Sequence, residues 1–116
     1  MREYSFEKLK VWQEARLLVK KVYQLSAKFP NEERYGLTSQ VRSAVISISS
    51  NIAEGSGRKH KKEQSQFYSI AYASLMEVLN QLILACDLKF MEDKVLIEEF
   101  RPLIESISLK LYKMKS

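Results

Sequence analysis

Five residues of the 116 break helices by nature: Gly36, Gly55, Gly57, Pro30 and Pro102. Glycine weakens a helix through backbone entropy, and proline removes a hydrogen-bond donor. A chain with so little punctuation can turn in few places. It must therefore be assembled from long elements.

The apolar spacing says which elements. From Leu37 or Thr38 to Glu54, Val41, Val45, Ile48 and Ile52 fall on one stripe of a helix. Gln40, Ala44, Ser47, Asn51 and Glu54 form a second stripe, roughly 110° round the same helix. Polar groups flanking a core need partners, which predicts a hydrogen-bonded network beside the core. A first helix is expected from about Phe6 to Lys28, capped by Ser5, with Leu9, Trp12, Ala15, Val19, Val22 and Phe29 facing inward. Phe29-Pro30 ends it, because the residue before a proline is driven out of the helical region. Gly55-Ser56-Gly57 should end the second helix through a left-handed glycine cap.

A third helix is expected from about Lys61 to Leu88 or Lys89. From Phe67 to Leu88 it has more apolar surface than one face can hold, so it should be buried on most sides or lie at a subunit interface. After a turn at Phe90-Met91-Glu92-Asp93, a fourth helix runs to Met114 with Leu96, Phe100, Leu103, Ile107, Leu111 and Met114 on its stripe. Pro102 predicts a kink near Glu98 to Arg101. Four long helices with short connectors favour an all-α, antiparallel up-down-up-down four-helix bundle, formed by residues 1–116 as a single domain.

Composition narrows the function classes. With 46% apolar and 28% charged residues the chain is ordinary for a folded protein. Met1 leads into polar and charged residues, and apolar runs such as Leu82 to Cys86 fall far short of the ~20 residues that span a bilayer. A cytoplasmic protein with no membrane partner is expected. Cys86 is the lone cysteine, which excludes an internal disulfide and reads as a small buried hydrophobe. The net charge of +5 and the pI of about 9.3 favour an anionic partner, RNA or DNA first.

The segments FEKLKVWQEARLL, FPNEERYGLTSQVRSAVISISSNIAEGSGR and SLMEVL together resemble the four-helix bundle family of 23S ribosomal RNA intervening-sequence proteins. Gln40-Val41-Arg42, Ser47-Ile48, Asn51-Ile52-Ala53-Glu54-Gly55 and Arg58 carry the resemblance most specifically, with Ser74 and Glu77 adding to it. It implies a bacterial, cytoplasmic, left-handed bundle that assembles with itself into a homopentameric ring. The architecture is also similar to that of the accessory protein of diversity-generating retroelements, a basic pentamer that works with nucleic acid.

The strongest candidate site is the basic block Arg58, Lys59, His60, Lys61 and Lys62. Lysine and arginine clusters of this kind take phosphates with little sequence preference, and a helix start adds amide donors. A pentamer would present the block five times. Gln40, Arg42, Asn51, Glu54 and Glu77 are expected to form a structural polar network, with Arg42 or Arg58 paired to Glu54 or Glu77. A catalytic role for these carboxylates finds no tuned partner, and the serines lack a histidine in the same motif. One histidine and one cysteine supply too few ligands for a zinc site, and Gly55-Ser56-Gly57 lacks P-loop spacing. The sequence thus predicts a non-enzymatic protein without cofactor or metal. It acts either as a nucleic-acid-associated accessory or scaffold, or as an adaptor for an unidentified protein partner.

Overall fold

The computed structural model describes residues 2–116. Its four long helices are α1 (Lys10–Ser26), α2 (Leu37–Ser56), α3 (Lys61–Asp87) and α4 (93–114). α1 packs on α2, α2 on α3, α3 on α4, and α4 closes back on α1. Short connections make sequential neighbours antiparallel. The expected four-helix bundle is the fold, and it is 44 Å long. The starts of α1 and α3 share one pole with the ends of α2 and α4.

The first helix is divided. Ser5–Lys8 form a 3-10 turn, and Leu9 is extended at φ −73° and ψ 126° before α1 begins. Tyr4 N–H donates to the Glu7 carboxylate at 2.7 Å, so this turn closes from Tyr4 and Ser5 is not its cap. Freed from that turn, α1 buries Val11, Ala15, Leu18 and Val22. This face lies roughly 60° from the expected stripe by helical geometry. Leu9, Trp12 and Val19 pack half-buried at its edge. Trp12 meets Phe6 edge-on at 5.0 Å, a contact at the rim of the core.

On α2 the expected stripe is the core stripe: Val41, Val45, Ile48 and Ile52 are at most 1% exposed. Each such side chain contributes roughly 1.5–3 kcal/mol through burial. The helix runs through Gly55 to Ser56, and none of the glycines has a positive φ. The left-handed cap expected here is not used; Gly55 serves a packing purpose instead.

At the other end of α3 a left-handed cap does occur, on a lysine. Lys89 has φ 66°, Lys89 N–H donates to Cys86 O at 3.0 Å, and Phe90 N–H donates to Ala85 O at 2.8 Å. These two bonds make a Schellman motif, whose apolar residue Phe90 turns back to meet Phe29 at 5.7 Å.

α4 is not a regular α-helix throughout. A single turn at Asp93–Val95 passes into a π-helical turn at Leu96–Phe100, followed by regular helix from Arg101 to Met114. The π turn falls where Pro102 predicted a kink. Pro102 cannot donate to the preceding turn, so widening that turn is a local way to absorb the loss. Leu96 and Phe100 remain buried as a result.

α3 is not surrounded on all sides within the bundle. It buries Ala71, Leu75, Val78, Leu82 and Ala85, while Ile70 and Leu84 are 49% and 42% exposed. By length and composition it could cross a membrane, yet its core stripe packs against α2 and α4.

Candidate nucleic-acid interface

The predicted basic block occupies the turn between α2 and α3 and the first residues of α3. Gly57 N–H and Arg58 N–H donate to Glu54 O and Gly55 O, closing α2. Gln64 then ties the turn down from α3, its Nε2 donating to Arg58 O at 2.8 Å. The block is therefore held by backbone contacts while its side chains are free. Arg58, Lys59, His60, Lys61 and Lys62 are all exposed, and none forms an ion pair among the described residues. The Arg58 guanidinium lies over the Phe67 ring, 4.8 Å from its centroid. A cation over an aromatic face is held there by the ring quadrupole, which orders the Arg58 side chain while it stays exposed.

The fold enlarges this block. Ser65 Oγ donates to Lys115 O, pinning the end of α4 beside the start of α3. Residues 58–63 and 110–115 together carry seven cations (Arg58, Lys59, Lys61, Lys62, Lys110, Lys113 and Lys115) against one anion, Glu63, while residues 2–14 add three cations and three anions to this pole and the end of α2 adds Glu54. Lys110 is engaged, its ammonium 3.0 Å from the Glu14 carboxylate and 2.8 Å from Ser106 Oγ. At the opposite pole, residues 20–34 and 87–101 carry seven cations and seven anions. Two helix starts and two helix ends meet at the basic pole, so their dipoles oppose one another and side-chain charge sets the field. Nothing in the linear chain joins Lys110, Lys113 and Lys115 to the block at 58–62. Their neighbours became visible through topology: in an up-down bundle the fourth helix ends where the third begins.

The five residues expected to form one polar network do not come together. Arg42 donates from Nε to Ser26 Oγ at 2.8 Å and from Nη2 to Tyr23 O at 3.2 Å, with its guanidinium 4.5 Å from the Tyr23 ring centroid. It therefore fastens α2 to α1 and pairs with neither Glu54 nor Glu77. Asn51 donates to Ser47 O at 2.8 Å and Ser47 Oγ at 3.1 Å, and the hydroxyls of Ser47 and Ser74 meet at 2.9 Å across the α2–α3 seam. Gln40, Glu54 and Glu77 are exposed and make no side-chain hydrogen bond or ion pair among the described residues. Helical phase does not separate them, since positions 40, 44, 47, 51 and 54 share one stripe of α2; Gln40 and Glu54 lie toward the two ends of that helix, where both are exposed. Ser26 and Ser74, both buried, are the partners that the sequence reading did not assign. Small polar residues inside apolar stripes were their only signal.

A cavity of about 710 Å³ opens at the opposite pole. Its wall mixes Lys21, Lys28 and Lys89 with Glu92, Asp93 and Glu99 around Phe90 and Phe100, so it favours neither sign of charge. Burial, and then a hydrogen bond and charge from Asp93, push the Cys86 thiol up, which keeps it protonated and unreactive. Among the described residues no group of three or more histidine, cysteine or acidic side chains is placed to hold a metal ion.

These features define a class: an antiparallel four-helix bundle with one strongly basic pole. The family model for the 23S rRNA-intervening sequence protein matches residues 7–113, and the chain belongs to that family. No curated protein matches it.

Proposed function

We propose that the protein is a non-enzymatic, homo-oligomeric bundle whose basic pole binds RNA, acting as an accessory or scaffold for it. The observation that carries this reading is the polar segregation of charge. Over the four helix ends that meet at the pole of Arg58–Lys62 (residues 2–14, 54–63 and 110–115), ten cations face five anions, against a near-even balance at the other pole. A polyanion gains from that field wherever it lies along its backbone, and RNA is the polyanion that the family's name carries.

Self-assembly is supported by a second surface. Residues 37–57 carry only Arg42 and Glu54 as charged side chains, and residues 64–88 only Glu77 and Asp87. Along the α2–α3 seam Ser43, Ser50 and Ala73 are exposed, as are Ile70 and Leu84. Small and apolar residues in a charge-poor strip suit close contact with another copy. Gln40, Glu54 and Glu77 lie on the same seam, where a neighbouring subunit would complete the polar contacts that the protomer leaves open. A ring of five, the assembly implied by the resemblance, would repeat the basic pole five times and raise affinity through avidity.

The test is binding of the purified oligomer to structured RNA across a salt series, with light scattering to count subunits. The expected result is a steep loss of affinity with salt, and a shallower slope when Arg58, Lys59, Lys61 and Lys62 are changed to Gln. An intact oligomer that binds no RNA at low salt overturns the reading and directs the search to a protein partner.

A further inference from the structure

The seam between α3 and α4 carries a feature that neither the core nor the basic block explains. Tyr72 of α3 and Tyr112 of α4 lie with ring centroids 6.3 Å apart and planes tilted by 59°. The Lys115 ammonium is 5.0 Å from the Tyr112 centroid and 5.4 Å from that of Tyr72. Tyr112 is nevertheless 61% exposed, so burial does not account for it.

Helical spacing aligns this pair with the basic pole. Lys61, Ser65 and Tyr72 share one side of α3, the side turned to α4, and Lys61 precedes Tyr72 by roughly 16 Å of helix. Ser65 holds Lys115 between them. Beyond the tyrosines the seam opens into a shallow hollow of about 240 Å³ between Met76, Leu79, Ile104 and Ser108, with Arg101 and Glu105 both on its wall. Cations and then open aromatic surface follow one another along the seam before this mixed hollow. It is also a different surface from the charge-poor α2–α3 seam.

We infer that this seam binds a single-stranded segment of RNA, with a base stacked on Tyr112 and the adjoining phosphates on Lys61 and Lys115. The inference rests on the RNA-binding reading above and adds to it the form of RNA that is bound. Double helices turn their base faces inward and offer mainly phosphates, whereas an unpaired base can leave its neighbours and stack on an aromatic ring. A protein that needed only phosphates would gain nothing from an exposed tyrosine between its lysines. Lys115 is suited to both tasks, since it orders the two rings when free and lies within reach of a backbone that crosses them.

The experiment measures the affinity of the full-length oligomer for a labelled oligouridylate and for a blunt RNA duplex at one fixed salt concentration. Tyr112→Ala should weaken single-strand binding about ten-fold or more and leave duplex binding unchanged. Tyr112→Phe should retain the wild-type affinity, because the ring and not the hydroxyl stacks. Lys61→Gln should weaken both ligands. If Tyr112→Ala leaves single-strand affinity unchanged while Lys61→Gln lowers it, the stacking site is wrong and the basic pole stands. Equal loss for both ligands, or dissociation of the oligomer in light scattering, also overturns the stacking site. If the wild-type protein binds neither RNA, it is the underlying RNA-binding reading that falls.

Discussion

A β-carbon on Gly55 would stand 2.8 Å from Cε1 of Tyr68 and 2.9 Å from Cβ of Phe67. The end of α2 therefore touches α3 at a point where a side chain is missing. The Phe67 β-carbon sits next to its own backbone and cannot swing away as the tip of a long side chain could. Gly55→Ala should cost about 1–3 kcal/mol through overpacking, although alanine is the better helix former. Urea denaturation checks this: the midpoint should fall, and an unchanged or raised midpoint would remove the packing role assigned to Gly55.

The hydroxyl pair of Ser47 and Ser74 should behave as a coupled unit. Ser47 Oγ accepts from Asn51 and shares one hydrogen bond with Ser74 Oγ. Changing either serine to alanine leaves the other hydroxyl short of a partner, and changing both does not. A double-mutant cycle should give a coupling of about 1 kcal/mol. Strict additivity would show that the two hydroxyls contribute independently.

Lys89 occupies a backbone conformation that suits glycine, at φ 66°. Lys89→Gly should keep both Schellman hydrogen bonds and raise stability by about 1 kcal/mol. Thermal unfolding of the variant decides this, and a lower melting temperature would mean that the lysine side chain contributes more than its backbone costs.

Alkaline pH should destabilise the bundle before acid-sensitive ion pairs matter. Burial pushes the Tyr68 phenol above its ordinary 10.0 and, with Asp93, the Cys86 thiol above its ordinary 9.0. Both raised values favour the protonated form in the folded state, so the unfolded chain releases these protons first. The contribution is present in full below the unfolded values and is lost as pH rises through and beyond about 9 to 10. Melting temperatures measured from pH 7 to 11 should fall at the upper end, and less steeply in Tyr68→Phe. Identical slopes in the two proteins would remove Tyr68 as a cause.

If the α2–α3 seam joins subunits, a charge on it should separate them. Ile70 is about half exposed in the protomer, so Ile70→Lys should leave far-UV circular dichroism intact while light scattering shifts toward the monomer. An oligomer of unchanged mass would place the interface elsewhere.

The number of helices, their approximate limits and the core stripe of α2 were all legible in the chain. Sparse glycine and proline bound the turns, and Val41, Val45, Ile48 and Ile52 repeat at a spacing that only a helix brings to one face. The stripe of α1 was harder to place, because Val11 and Trp12, and again Leu18 and Val19, are adjacent apolar residues, and spacing alone does not choose between the two faces they define. The basic block was plain as a run of side chains, but its extension by Lys113 and Lys115 joins positions about fifty residues apart.

What the sequence determined by itself is periodic: which residues can share a helix face, and how many long elements the chain can form. Tertiary structure decided whatever depends on the distance between helices. Arg42 reached Ser26 and Tyr23 instead of a carboxylate because α1 lay within range. Gly55 acted as a contact instead of a cap because α3 passed too close for a side chain. Tyr112, unremarked in the linear chain, came to stand beside Tyr72 and Lys115 once α4 closed against α3. Helical spacing is a property of one segment, whereas such pairings depend on how two segments cross, and that is fixed only when the whole core packs.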